Sequence, residues 1–126
     1  MILDTDVMIW FLRGNEKAID VVEKSMPFSV SIVTYMELLQ GMRNKQETAK
    51  MKKAFKAMDV SIIPINESAS LQAAKYVEEY ALSNSMELAD ALITATCVQR
   101  NEILHTANDK HYKAVKELQL SIFRPE

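Results

Sequence analysis

The beginning of the chain places two carboxylates between two apolar segments. Ile2 and Leu3 are predicted to form a short buried strand, and the apolar run 7–12, which follows Asp4 and Asp6, predicts a helix. In an α/β fold this strand-to-helix junction lies at the carboxyl edge of the sheet, where ligands usually bind. Helix capping is the simpler explanation of the pair taken alone, because Asp is favoured at helix N-termini. The pair predicts a site only if other segments bring acids to the same edge.

Strands and helices alternate along the rest of the 126 residues. Further strands are predicted over residues 28–33, 60–65, 103–106 and 121–123, and helices over 16–24, 34–42, 45–58, 66–82, 86–99 and 112–118. This alternation predicts an α/β fold with a mostly parallel sheet and helices on both faces. Pro64 either places its strand near a sheet edge or ends it. The length suits one domain covering residues 1–126.

Composition limits the environment of the protein. The longest apolar run is far too short to cross a bilayer and has no signal-peptide features, so no membrane partner is expected. A single cysteine, Cys97, cannot form an internal disulfide, which favours a reducing, cytoplasmic location.

The charge distribution is uneven along the chain. The net charge of −2 gives no general reason to expect nucleic acid as a ligand. Between Arg43 and Lys56, however, six basic residues accompany one acid, Glu47. A solvated helix face is the commoner explanation of such a run. The functional alternative is a surface that steers phosphates through Arg43, Lys45, Lys52 and Lys53.

Asp90 is the most informative acid after the opening pair. Its predicted helix has no other charge between residues 88 and 98, and helical spacing puts Ile93, Thr94 and Cys97 on the same side. A buried ionised carboxylate needs a partner, and no Lys or Arg lies within one helical turn. The structural alternative is a position in the first helical turn, where the helix dipole favours an acid.

Two further acids follow predicted strands. Glu37 forms a capping-box pattern with Thr34, which is one structural explanation for it. Asp109 follows the strand that ends at Thr106 and, together with Asn108, could simply close a turn. Both acids are nevertheless placed near the carboxyl edge of the predicted sheet.

Four acids delivered to one sheet edge predict a metal site. If Asp4, Glu37, Asp90 and Asp109 meet within about 5 Å, each ionised pair costs roughly 3 kcal/mol at an effective dielectric of 20. Protons or a divalent cation must offset that repulsion. Oxygen ligands without a His or Cys cluster favour Mg²⁺ or Mn²⁺ over Zn²⁺. A hard cation held by carboxylates in an open groove suits phosphodiester hydrolysis.

Four segments of the chain, in order, resemble those of PIN-domain ribonucleases and specifically of VapC-type toxins from toxin–antitoxin pairs. They are Ile2–Val7 (ILDTDV), Ser31–Leu38 (SIVTYMEL), Ala89–Thr96 (ADALITAT) and Leu104–Tyr112 (LHTANDKHY). The resemblance implies a three-layer α/β/α fold with a protruding helical pair over about 42–82. It also implies an endoribonuclease that hydrolyses RNA through water activated by Mg²⁺ or Mn²⁺.

The resemblance assigns roles and partners as well. Its acidic metal-binding and catalytic quartet maps to Asp4, Glu37, Asp90 and Asp109, with Thr5, Thr106 and Asn108 at supporting polar positions. It implies a homodimer that cuts RNA and is blocked by a small antitoxin protein. Asp6 departs from the family pattern, which usually has Asn or Ser there, so it is either an additional ligand or a helix cap.

Three other readings use the same residues differently. A receiver-like signalling domain has an acidic pair after its first strand but needs a phospho-accepting Asp after its third, where this chain has Ile63-Pro64-Ile65. A phosphotransferase with an Asp-x-Asp nucleophile needs a catalytic Lys after a later strand and usually a cap domain. A PIN-like fold that only binds RNA would not need the acidic quartet.

Overall fold

The computed structural model describes residues 1–126 as five strands and six α-helices. The strands are β1 (Ile2–Leu3), β2 (Ser29–Ser31), β3 (Ser61–Ile63), β4 (Leu104–Thr106) and β5 (Leu120–Ile122). The helices are α1 (Thr5–Leu12), α2 (Glu16–Ser25), α3 (Ile32–Gln40), α4 (Lys45–Ala57), α5 (Glu67–Asn84) and α6 (Leu88–Arg100). All strand pairs are parallel, in the order β3-β2-β1-β4-β5. The predicted α/β fold with a largely parallel sheet is confirmed.

Successive residues of β1 belong to different hydrophobic cores. Ile2 joins the core formed with α5 and α6, whereas Leu3 joins the core that includes residues of α1, α2 and α4. Side chains of a strand alternate between the two faces of a sheet, so helices cover both faces of this one. The result is the three-layer α/β/α arrangement. Helix α4 packs in one layer through Met51 and Phe55, and α5 packs in the other through Ala73 and Tyr76. These two helices of the segment 42–82 therefore do not share a core.

The strand order places a binding position beside β1. The connections from β1 to β2 and β3 run to one side of the sheet, and β4 and β5 lie on the other. In parallel α/β sheets ligands bind at such a topological switch point, outside the carboxyl ends of the strands. The receiver-like alternative requires the order 2-1-3-4-5, so the observed order excludes it. β3 lies at a sheet edge and ends at Ile63, directly before Pro64, so both effects expected of the proline are observed.

The predicted helix over residues 112–118 is wrong. The structure has one 3₁₀ turn at Asp109–His111 followed by irregular turns. Backbone hydrogen bonds join Tyr112 to Asp109, Val115 to Tyr112, and Leu118 to Val115. Tyr112, Val115 and Leu118 are buried, and their spacing of three fits this chain of tight turns better than a 3.6-residue helix.

The remaining differences concern the ends of elements. Helix α3 begins at Ile32, earlier than predicted, and Ser83 and Asn84 extend α5 instead of forming a loop. None of the helices combines the length and the apolar character needed to span a bilayer.

Candidate active site

Asp4 lies at the carboxyl end of β1, where the sequence predicted it. Its Oδ1 accepts a hydrogen bond from the Thr5 N–H at 2.8 Å, so it caps α1 as well. Its Oδ2 accepts from the Thr106 hydroxyl at 2.8 Å. This second contact exists because β1 and β4 are adjacent parallel strands that end side by side. Asp4 is 5% exposed, which makes it a buried acid.

Asp6 shares the same hydroxyl. Its Oδ2 lies 3.3 Å from Thr106 Oγ1 and also accepts from the Ala107 N–H at 3.0 Å, while its Oδ1 accepts from the Val7 N–H at 2.7 Å. A hydroxyl has a single hydrogen to donate, so the shorter bond to Asp4 takes most of it. Asp6 thus ties the start of α1 to the turn after β4.

The environment opposes ionisation of both acids. Burial, and then the neighbouring charge of Asp6, raises the pKa of Asp4 to about 7, against the smaller opposing effect of the Thr106 hydrogen bond. Burial also raises the pKa of Asp6. Near neutral pH the pair therefore carries less than its full negative charge unless a cation compensates.

The Glu37 side chain does not cap its own helix but contacts Thr5, the residue after Asp4. Helix α3 is capped by Ser31, whose Oγ accepts from the Val33 N–H at 3.0 Å, so the capping-box alternative for Thr34 and Glu37 does not hold. Glu37 Oε1 accepts from the Thr5 hydroxyl at 2.7 Å, and that hydroxyl also lies 2.9 Å from Thr34 Oγ1. An exposed carboxylate is thereby attached to the residue that follows Asp4.

Asp90 lies in the first turn of α6, which confirms the structural alternative. It forms a reciprocal capping box with Glu87, whose N–H donates to Asp90 Oδ2 at 3.0 Å. The Asp90 carboxylate also has two partners outside its own helix. His111 Nδ1 lies 2.8 Å from the same oxygen, and the Tyr112 hydroxyl donates to Oδ1 at 3.2 Å.

Asp109 is paired with an arginine, and no hydrogen bond connects it to the cluster of the other acids. Its Oδ1 accepts from the Arg124 guanidinium at 3.2 Å, and that hydrogen bond is the main reason why the pKa of Asp109 is lowered. Arg124 also donates to the Ala107 carbonyl at 2.8 Å. Asn108 has an exposed side chain and contributes only its N–H, which donates to Thr106 Oγ1 at 3.0 Å.

Tyr112 connects the two halves of the site. Its ring is buried in the core, and its hydroxyl faces Asp4 as well as Asp90. Burial, followed by the charges of Asp4 and Asp90, raises the pKa of Tyr112, so the phenol keeps its proton. Two acids, Asp4 and Asp90, therefore face the Tyr112 hydroxyl, while Asp6 joins Asp4 at the Thr106 hydroxyl and Glu37 is attached through Thr5.

These carboxylates fit a hard divalent cation by their chemistry. All candidate ligands are oxygens, as Mg²⁺ and Mn²⁺ prefer, and Asp4 and Asp6 are like charges held together by one hydroxyl. No three His, Cys, Asp or Glu side chains form a ready-made coordination cage. Cation binding at this edge would therefore require these side chains to rearrange.

A groove of about 850 Å³ leads away from Glu37 between α1, α3 and α4. Apolar side chains such as Phe11 and Met42 line it together with Arg43 and Lys50. Arg43 forms a two-pronged ion pair with Glu47 at 2.7 and 3.0 Å. Lys52 lines a separate cavity of about 300 Å³, and Lys45 and Lys53 are exposed on α4 without lining either space.

Sequence reasoning missed two partners of Asp90, namely His111 and Tyr112. Both lie in the last segment that carries the family resemblance, but Tyr112 was assigned to a helix that does not form. The available signal was a His and a Tyr next to each other, one short turn after a strand that ends at the site. Arg124 was likewise missed as the partner of Asp109.

Comparisons with known proteins agree with this architecture. A family model for the PIN domain matches residues 1–118. A search of curated proteins found no significant match.

Solved structures of similar fold include three bacterial toxin–antitoxin complexes. The toxin–antitoxin complex from Klebsiella pneumoniae has a TM-score of 0.79 and 22% identity, covering 99% of this chain and 97% of that one. VapBC2 from Rickettsia felis, bound to a DNA fragment from its promoter, has a TM-score of 0.80 and 17% identity, covering 98% of both chains. VapBC-1 from nontypeable Haemophilus influenzae has a TM-score of 0.78 and 23% identity, covering 96% of both. Because the family model spans nearly the whole sequence and the fold agrees with it, the chain belongs to the PIN domain family.

Proposed function

We propose that this protein is an endoribonuclease that depends on Mg²⁺ or Mn²⁺ and acts as the toxin of a toxin–antitoxin pair. The observation that carries the proposal is the convergence of Asp4, Asp6 and Asp90 around the Thr106 and Tyr112 hydroxyls. Asp4 and Asp6, whose pKa values are raised by burial, are costly to maintain without a function. The like charges and the oxygen-only donor set match a divalent cation.

The residues of the site divide into ligands and supports. We assign Asp4, Asp90 and Glu37 as the carboxylates that would hold the cation, with Asp6 as a support that orients the loop after β4 through the Ala107 N–H. Thr106 orients Asp4, and Thr5 orients Glu37. Asp109, the fourth member expected from the resemblance, is bound to Arg124, and we assign it a peripheral role. When bound, the cation would lower the pKa of a water and stabilise charge on the phosphate.

The groove next to Glu37 supports the proposal that the substrate is a polymer, because a strand of RNA could lie along it. Arg43 and Lys50 on its wall would attract the phosphates of a single RNA strand, and Lys45, Lys52 and Lys53 would add long-range attraction. Such attraction weakens as salt concentration rises. RNA as the substrate would place the activity in the cytoplasm.

Partners are proposed from the neighbours in fold. Several are structures of toxin–antitoxin complexes, which supports an antitoxin protein that binds the same groove and blocks it. We propose a homodimer formed by chains that each act as one PIN-like domain over residues 1–126.

The test is metal-dependent RNA cleavage by purified variants. We expect Asp90→Asn to abolish cleavage in Mn²⁺ and to relieve the growth arrest that expression of the wild-type protein causes, with an unchanged circular dichroism spectrum. Asp20→Asn is the matched control, because Asp20 is an exposed acid paired with Lys24 on α2 and lies outside the site.

Any of three results would reject the proposal. One is full metal-dependent cleavage by Asp90→Asn. Another is phosphatase activity on a simple aryl phosphate that survives Glu37→Ala, which would favour the Asp-x-Asp phosphotransferase. The third is RNA binding without cleavage by the wild-type protein, which would indicate a binding module.

A further inference from the structure

The turn after β4 supplies two side chains that bind opposite oxygens of Asp90. His111 Nδ1 lies 2.8 Å from Oδ2, and the Tyr112 hydroxyl donates to Oδ1 at 3.2 Å. The two residues are adjacent in the chain and lie more than twenty positions from Asp90 in sequence. Their contact with Asp90 therefore depends on how the turn packs against the start of α6.

Helix capping alone would hold Asp90 loosely. The Glu87 N–H binds only Oδ2, at 3.0 Å, which leaves the side chain free to rotate about its last bond. With the turn in place, both oxygens have a side-chain partner, and His111 approaches Oδ2 more closely than the capping N–H does. The carboxylate is then fixed in one orientation, and Oδ1, which accepts a single hydrogen bond, keeps a second lone pair for a cation.

Tyr112 is anchored well enough to act as a fixed donor. Its ring is 1% exposed and belongs to the same core as Ile93 and Val115, so its hydroxyl has little freedom to move. That hydroxyl faces both Asp4, at the end of β1, and Asp90, at the start of α6. One phenol therefore spans the two carboxylates that come from different layers of the fold.

We propose that His111 and Tyr112 are positioning residues that set the orientation of Asp90, and that Tyr112 also sets its spacing from Asp4, so that both carboxylates are arranged for one cation. This inference rests on the proposed function, since it concerns the same metal site. Outer hydrogen-bonding partners of metal ligands typically change metal affinity or activity by about 10–100-fold when they are removed.

Tyr112→Phe is the sharpest test, because it removes the hydroxyl and keeps the buried ring. We expect the dissociation constant for Mn²⁺, measured by isothermal titration calorimetry on the otherwise intact protein, to rise by about tenfold or more. Tyr76→Phe is the matched control. It removes another buried tyrosine hydroxyl, which binds Glu117 at 2.7 Å, away from the site. The control should leave the Mn²⁺ dissociation constant unchanged.

His111 provides a second test that does not disturb the core. We expect His111→Ala to weaken Mn²⁺ binding, and His111→Asn to restore most of the affinity, because its amide offers a donor near the position of Nδ1. A residue that only supported the fold would not show this rescue, since both variants remove the ring. This pair keeps the inference falsifiable even if Tyr112→Phe does not fold.

The outcomes separate the two proposals. If the wild-type protein binds Mn²⁺ and cleaves RNA but Tyr112→Phe and His111→Ala bind Mn²⁺ as tightly as it does, the positioning role is overturned and the nuclease function stands. Equal weakening by Tyr112→Phe and Tyr76→Phe would also overturn the positioning role. If the wild-type protein neither binds Mn²⁺ nor cleaves RNA, the proposed function fails, and the positioning role fails with it.

Discussion

Replacing Asp4 by Asn should stabilise the metal-free protein while destroying its metal site. Asp4 is buried next to Asp6, and the folded environment raises the pKa of Asp4 from 3.8 to about 7. At pH 8 the ionised carboxylate is therefore held in a place that disfavours its charge. Asparagine keeps nearly the same shape without that charge.

The magnitude follows from the shift in pKa. One unit corresponds to about 1.4 kcal/mol, so ionised Asp4 costs roughly 4 kcal/mol of unfolding free energy at pH 8. Asparagine accepts through one oxygen only and cannot serve both Thr5 and Thr106 as Asp4 does, which costs about 1–2 kcal/mol. The expected net gain at pH 8 is about 2 kcal/mol, or about 6–10 °C in Tm for a chain of this length.

The gain should depend on pH with a definite sign. Folded Asp4 keeps its proton up to about pH 7, whereas the unfolded carboxyl loses it near pH 3.8. The folded state therefore binds more protons between these values, and the stability of the metal-free protein falls as pH rises through this window. Between pH 8 and pH 5 the cost of ionised Asp4 should fall by about 3 kcal/mol, so the advantage of Asp4→Asn should disappear and become a small disadvantage.

Thermal unfolding in EDTA at pH 8 and pH 5 measures the stability gain of Asp4→Asn and its dependence on pH. A repeat in Mn²⁺ measures the loss of stabilisation by the metal. Saturating Mn²⁺ at about 100 times its dissociation constant should stabilise the wild-type protein by about 2.7 kcal/mol and leave Asp4→Asn unchanged. Asp20→Asn, on the surface, is the control and should show no such pH dependence. A lower Tm for Asp4→Asn in EDTA at pH 8, or a difference that does not vary with pH, would refute the electrostatic reasoning.

Two further predictions concern residues outside the proposed ligand set. Asp109→Ala should reduce RNA cleavage much less than Asp90→Asn does, because Asp109 is paired with Arg124 and shares no hydrogen bond with the other acids. Equal losses in a cleavage assay would restore Asp109 to the metal site. Ser85→Gly should raise the free energy of unfolding in urea by about 0.5–1 kcal/mol without changing Mn²⁺ affinity, because Ser85 ends α5 with a φ of +54°, where glycine is favoured; an unchanged or lower midpoint would contradict this.

The sequence alone determined the architecture because local patterns encode it. Alternating strand and helix patterns predicted the parallel sheet, and Ile2 and Leu3 predicted a short buried strand. Pro64 predicted a strand that lies near the sheet edge or ends at the proline. The acids that follow strand ends predicted the edge at which a site would form. Ordered motifs then predicted the PIN family, which the family model confirms.

Only the tertiary structure decided which side chains meet. Thr106 reaches Asp4 because β4 pairs with β1, and that strand order is not encoded in any local periodicity. His111 and Tyr112 reach Asp90 through the packing of a turn that sequence periodicity had predicted as a helix. From the sequence, Asp109 could not be distinguished from the other acids, but in the structure it accepts a hydrogen bond from Arg124, which follows β5. Residue type and spacing fix which groups are available at the sheet edge, but side-chain contacts between distant segments depend on how the layers pack.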